Sequence, residues 1–298
     1  LTLFKVGELA ALTTAVSWTF TALFFTAAAQ RIGSLPVNWL RLVLACGYFV
    51  VHGALLRGHP LPTDAPAHVW LWLSLSGFVG FTFGDLCLFR AYLLIGPRLA
   101  SLFMCLVPPL AALLGWAALG ETLSAGELAA MAVVVAAVAL VVSEPRSADS
   151  PHPQDSRLTG CVLAFGGALG QALGLILSKH GMQGYDAFAA TQVRVFAGLL
   201  GFTLILSVAK HWGRVRTALR DARALTFTAL GAFFGPFVGV GLSLVAVQHT
   251  QAGVAATLMA LTPVLLVPTV FALYGERVTP RAVVGTAVAF AGVALLLL

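Results

Sequence analysis

The stretch "LTPVLLVPTVFALYGERVT", Leu261 to Thr279, places two prolines inside an apolar run and closes it with Gly275-Glu276. The stretch "LVPPLAALLGWAALGETLS", Leu106 to Ser124, makes nearly the same statement 155 residues earlier. A gap-free shift of 155 pairs Met104 with Met259, Pro108 with Pro263, Gly120 with Gly275, Glu121 with Glu276 and Ser124 with Thr279. Coincidences of Leu and Ala are cheap in so apolar a chain; coincidences of Pro, Gly and Glu are not. The same shift aligns Gly80 with Gly235 and Gly84 with Gly239, and a shift of 153 pairs Arg41 with Arg194. The chain therefore reads as a tandem of two units, residues 1–143 and 158–298, joined by the polar, proline-containing linker 144–157.

Both units belong in a bilayer. Of the 298 residues, 59% are apolar and 9% charged, against roughly 25% charged in a soluble domain. Apolar runs of the ~17–25 residues that span a membrane as helix are expected ten times, over Gly7–Ala29, Leu35–Leu56, His68–Leu93, Leu99–Leu119, Ala125–Ser143, Leu158–Met182, Ala187–Ala209, Leu225–Val247, Gly253–Tyr274 and Arg281–Leu298. Barrel strands would read as short alternating segments instead. The expected fold class is all-α integral membrane. The first run is too long for a cleavable signal peptide and is followed by many more.

Five spans per unit is an odd number, so the chain leaves each unit on the side opposite to its entry, and the second copy enters the membrane upside down. Two inverted five-helix repeats are the expected architecture, with a midplane site at the repeat interface. Setting aside Arg41, Arg90 and Arg194, which fall within spans, the remaining Lys and Arg divide eleven to three between the two sides. Positive loops face the cytoplasm, which places the linker inside and both termini outside. Cys46, Cys87, Cys105 and Cys161 all fall within spans without metal-type spacing and read as small apolar fillers.

Gly120 and Gly275 suit the position just past a helix C-terminus, Ser124-x-x-Glu127 makes a capping box, and Thr279-Pro280 offers an N-cap followed by proline at the first helical position. The Gly-Glu segments are thus tight turns between antiparallel helices.

A helix with a central proline, a Gly-Glu turn and a Gly/Ala-rich helix, occurring twice in ten spans with Trp18 in the first and arginines in the second and seventh, resembles the drug/metabolite transporter superfamily and its tandem EamA-type members. Within it the chain looks most like the YddG-type exporters of aromatic and other amino acids. The resemblance implies a multi-pass protein of the bacterial inner membrane, working as a monomer, with spans one to four and six to nine around a central cavity.

Proline removes a backbone donor and frees a carbonyl, so Pro108, Pro109, Pro263 and Pro268 read either as a hinge pair with carbonyls open to a substrate ammonium or as static kinks. Glycine ladders in spans three and eight permit close helix contact; their phenylalanines, Phe78, Phe81 and Phe234 among them, face either lipid or cavity. Ionisable groups within spans are costly and mark pathways or buried pairs. Asp85, whose repeat mate is Val240, either pairs within the bundle, with Arg90 or His52 as candidates, or faces the cavity as an ammonium or proton site. Arg41 and Arg194 read as interfacial, snorkelling residues. Trp18, Met104, Gln171, Ser178, Met259, Thr257 and Thr262 complete the expected cavity lining.

Such a lining, aromatic and Met-rich with few charges, favours an amphipathic solute over a phosphate or nucleotide-sugar, which needs fixed Lys or Arg in the core. The expected substrate is a neutral, preferably aromatic amino acid or similar metabolite, with a multidrug or lipid-linked exporter of the same fold as the alternative. No metal, cofactor or nucleic acid is called for; membrane lipids surround the protein. The seven histidines are scattered and neither HExxH nor a nucleophile elbow occurs, so the chain does not read as an enzyme. It carries no ATP-binding P-loop, which makes any active transport secondary.

Overall fold

In hydrocarbon a chain must satisfy its own backbone hydrogen bonds, and these long apolar runs do so as helices. The computed structural model describes residues 3–119, 124–142, 156–182, 184–249, 255, 258–262, 265–266 and 280–295. Helices α1 (Leu3–Ile32) and α2 (Ser34–His52) meet at Gly33, whose φ of 83° lets the chain reverse within one residue. Helix α3 (Ala67–Gly77) runs through a π-helical segment, Phe78–Gly84, into α4 (Asp85–Phe103). At Gly96 the φ of 79° breaks α4, ending one span and starting the next. A 3₁₀ turn, Met104–Leu106, leads into α5 (Val107–Leu119), followed by α6 (Ala125–Val142).

The second unit follows a similar order among the described residues. It contains α7 (Arg157–Met182), α8 (Ala187–Val208), the short α9 (Trp212–Ala218), α10 (Ala222–Ala232), a second π-helical segment Phe233–Gly239, α11 (Val240–His249) and α12 (Pro280–Leu295). Asp186 caps α8 by accepting from the Ala189 N–H at 2.8 Å, and Asp221 caps α10 through the Ala224 N–H at 3.0 Å. That N–H, with the Arg31 guanidinium 2.8 Å away, holds the Asp221 carboxyl below its usual range. The two π-helical segments are themselves related by the shift of 155, Phe78 with Phe233 and Gly84 with Gly239.

Among the described residues, seven helical stretches are long and apolar enough to cross a membrane: Val6–Ile32, Ser34–Arg57, Ala67–Gly96, Leu99–Ala117, Arg157–Met182, Ala187–Val208 and Ala222–His249. They coincide with the first four and the sixth to eighth expected spans. The fifth falls on α6 and the tenth on α12, which begins at Pro280 as its turn chemistry requires. The Gly-Glu turns, most of the linker, Pro263, Pro268, Thr257 and most of the ninth span lie outside the described residues.

The packing between units is reciprocal. Helix α1 lies against α10 and α11, while α7 lies against α3 and α4; α2 packs on α8, and α6 on α12. At one end of the bundle, side chains tie the units together. Arg57 donates to Asp64 at 2.8 Å, the Tyr185 hydroxyl donates to the same carboxylate at 2.9 Å, and Gln192 donates to the Pro60 carbonyl at 2.9 Å.

Candidate functional site

The cavity at the meeting of the two units has a volume of about 150 Å³. Its walls come from both units at corresponding positions. Under the shift of 155, Phe81 pairs with Pro236, Asp85 with Val240, Leu88 with Ser243, Met104 with Met259 and Val107 with Thr262, and all ten residues line it. Under the shift of 153, Trp18 pairs with Gln171 and Arg41 with Arg194, and these four line it too. The spacing 81, 85, 88 in one unit and 236, 240, 243 in the other is one helix face, entered in each case from within the π-helical segment.

That face is set by how the π-helical segments pack. Gly80 and Gly84 cross Gly170 and Gly174 of α7 so closely that a Cβ on Gly170 would stand 2.6 Å from the Gly84 Cα. On the opposite unit, Gly239 receives Trp18 and Gly235 receives Thr21 of α1. Pro236 has no N–H for the carbonyl four residues before it, and the widened π turn accommodates the loss. Glycines turned toward the neighbouring helix leave Phe81 and Asp85 turned toward the cavity.

The polar centre consists of four side chains. Asp85, 4% exposed, accepts from Arg41 Nη2 at 2.5 Å and from Gln171 Nε2 at 2.9 Å. Arg41, 2% exposed, also donates from Nε to Asn38 Oδ1 at 3.1 Å, and its guanidinium lies 4.8 Å from the Phe89 ring centroid. Arg194, 4% exposed, lies 5.2 Å from the Phe81 ring, and its Nε has no hydrogen-bond partner among the described residues.

These contacts correct three expectations. Arg41 and Arg194 do not snorkel to the interface: each stands seven residues inside its helix, roughly 10 Å from the start at 1.5 Å per residue, and both are buried at the cavity. Asp85 pairs with Arg41, not with Arg90 or His52; Arg90 is exposed and His52 stacks on Phe188 at 4.5 Å. The core therefore does hold fixed guanidiniums, which removes the ground on which phosphate-bearing solutes were set aside. The paired Asp85 carboxylate also lines the cavity.

Of the other expected residues, Trp18, Phe81, Met104, Gln171, Met259, Thr262 and Pro108 line the cavity, while Phe78, Ser178 and Phe234 do not. Ser178 hydrogen-bonds Ser76 at 2.8 Å between α7 and α3. Phe234 packs on Phe20 and Phe24 of α1 at 5.6 and 6.2 Å. Pro108 and Pro109 occupy the first turn of α5, where helical N–H groups lack intrahelical partners in any case. The Met104 carbonyl that Pro108 cannot serve accepts from the Val107 N–H. Tyr92 and Ser101, hydrogen-bonded to each other, with Ser243 and Pro236, are lining residues that the sequence did not single out. For Pro236 and Ser243 the signal was present, since they are the repeat mates of Phe81 and Leu88.

A model of the EamA-like transporter family matches residues 5–143 and again residues 158–298. Comparison with curated proteins gives no match. One solved protein, known from a crystal structure, shares 19% identity over 97% of this chain and 95% of its own, with a TM-score of 0.63. At that identity the likeness is one of fold.

Proposed function

Because this chain belongs to the EamA-like transporter family, we propose that it is a secondary transporter exporting small amphipathic metabolites, neutral and aromatic amino acids above all, by alternating access of the central cavity. The fold in this reading is ten transmembrane helices in two inverted five-helix repeats, set in a bacterial inner membrane with the linker cytoplasmic and the protein monomeric. The reciprocal packing of α1 on α10 and α7 on α3 supports it. The YddG-type exporters are the relatives whose chemistry it follows.

The carrying observation is the cavity lined by repeat mates, because alternating access needs a site that both units contact and that rocking one against the other exposes to each side in turn. Its volume of about 150 Å³ matches the size of cavity that holds a benzene ring and falls short of the roughly 300–1,000 Å³ of drug-sized pockets. Trp18, Phe81, Met104, Met259 and Thr262 receive the apolar side chain, and the substrate ammonium approaches Asp85, beside Gln171. Pro108 and Pro109, with Pro263 and Pro268 in the second unit, are the hinge positions of this motion.

Purified protein in liposomes tests the proposal: labelled phenylalanine should accumulate above empty liposomes, and unlabelled phenylalanine or methionine should compete it away. Repeating the assay with and without a pH gradient separates proton coupling from facilitated diffusion. Failure of these solutes while a lipophilic cation or a lipid moves readily would replace the amino-acid reading with a multidrug or lipid-linked one.

A further inference from the structure

The repeat supplies two arginines at equivalent places and only one carboxylate. Arg41 has Asp85, whereas the position equivalent to Asp85 in the second unit is Val240, which lines the same cavity without charge. Arg194 is thus left, among the described residues, with no hydrogen bond or ion pair, its Nε without a partner and its side chain lining the cavity. Its surroundings hold it in place: the Gly80 and Gly174 backbones approach so closely that a Cβ at either would stand 3.3 or 3.5 Å from Nη2. Asp85, bonded to Arg41 and Gln171, acts on Arg194 only at a distance; a guanidinium kept at membrane depth without a bonded carboxylate of its own is costly and points to a functional partner.

We infer that Arg194 is an anion-binding site for the carboxylate of the transported solute, which takes at Arg194 the part that Asp85 plays at Arg41. The inference rests on the transporter reading but not on the solute being an amino acid. A carboxylate matches a planar guanidinium by paired N–H···O bonds. With Asp85 offsetting one of the two guanidiniums, the net single positive charge among the described lining residues suits a single negative charge better than a doubly charged phosphate. The apolar remainder of the solute then lies toward Trp18, Met104 and Met259.

Thermal melting of the purified full chain, titrated with four ring-bearing probes, tests this: 3-phenylpropanoate, phenylalanine, phenethylamine and phenyl phosphate. The carboxylates should raise the melting temperature, and phenethylamine should not. In Arg194→Met the apparent affinity for 3-phenylpropanoate should fall about tenfold to a hundredfold, the loss of a charge-assisted hydrogen bond. The empty variant should melt at or above wild type, since a buried unpaired charge has been removed. Arg194→Lys, which keeps the charge but not the fork, should retain a weakened response.

Binding of 3-phenylpropanoate without phenylalanine would support the site while removing the amino-acid reading. Three results would overturn the site: no stabilisation by either carboxylate, equal response of wild type and Arg194→Met, or tighter binding of phenyl phosphate. An empty Arg194→Met that melts lower or fails to fold while Arg194→Lys folds would overturn it as well, by making the charge structural.

Discussion

Replacing Gly170 by alanine probes the crossing that turns Asp85 and Gln171 into the cavity. The new Cβ would lie 2.6 Å from the Gly84 Cα, 3.0 Å from its nitrogen and 3.1 Å from the Val79 carbonyl oxygen. All three are backbone atoms, so no rotamer change relieves the contact. Carbon atoms rest about 3.5–4.0 Å apart, and α7 must therefore move off the π-helical segment by about 1 Å. Overpacking of this kind costs about 1–3 kcal/mol, which in a chain of this size lowers the melting temperature by roughly 2–5 °C. The same displacement stretches the 2.9 Å bond from Gln171 to Asp85 beyond hydrogen-bond range, so substrate-induced stabilisation should weaken as well.

Gly174→Ala, whose Cβ would meet the Gly80 Cα at 3.2 Å, should show a smaller loss. Gly47→Ala provides the opposite sign. Among the described residues nothing lies within 4 Å of that Cβ, and a helical Gly-to-Ala change in open space stabilises by about 0.5–1 kcal/mol. Melting curves of the three variants in one detergent, followed by tryptophan fluorescence, give the ranking. If Gly170→Ala melts with the wild type, or if Gly47→Ala falls as far, close backbone approach does not position this site.

Asp85→Asn leaves the Arg41 guanidinium buried without its carboxylate, at a cost of about 3–5 kcal/mol and roughly 5–8 °C of melting temperature; the double variant Arg41→Met, Asp85→Leu should recover most of that loss, and one no more stable than Asp85→Asn alone would contradict the pairing. Pro108→Ala restores an N–H in the first turn of α5 and, if the proline is a hinge, should slow transport more than it weakens substrate affinity in the liposome assay. Burial, the largest influence on Asp64, pushes its carboxyl up, but the Tyr185 hydroxyl, its own backbone N–H and Arg57 together hold it below the ordinary value. The tie therefore contributes above about pH 4 and is lost as pH falls through the lowered value, so melting curves of wild type and Asp64→Ala should differ slightly near neutrality and converge in acid. A reporter active only in the cytoplasm should be silent when fused to the C-terminus; strong activity would reverse the orientation and leave the repeat intact.

The membrane class, most of the span boundaries and the register of the repeat were legible because each is a property of composition and order along the chain. Ser124 and Pro280 stand where the turn chemistry puts them, at the starts of α6 and α12, since helix caps are local. Even the cavity walls were partly encoded, as Met104 with Met259 and Trp18 with Gln171 show. What the chain order did not carry was rotation. Helices apolar on every side have no polar stripe to mark the face turned inward, so Phe78 and Phe234 looked as suitable as Phe81. A π turn, with its extra residue, changes the phase of everything beyond it, and nothing in FVGFTFG announces one. Only packing decided that Arg41 would reach across from α2 to Asp85, and that Arg194, with Val240 where a carboxylate would stand, would be left facing an open cavity.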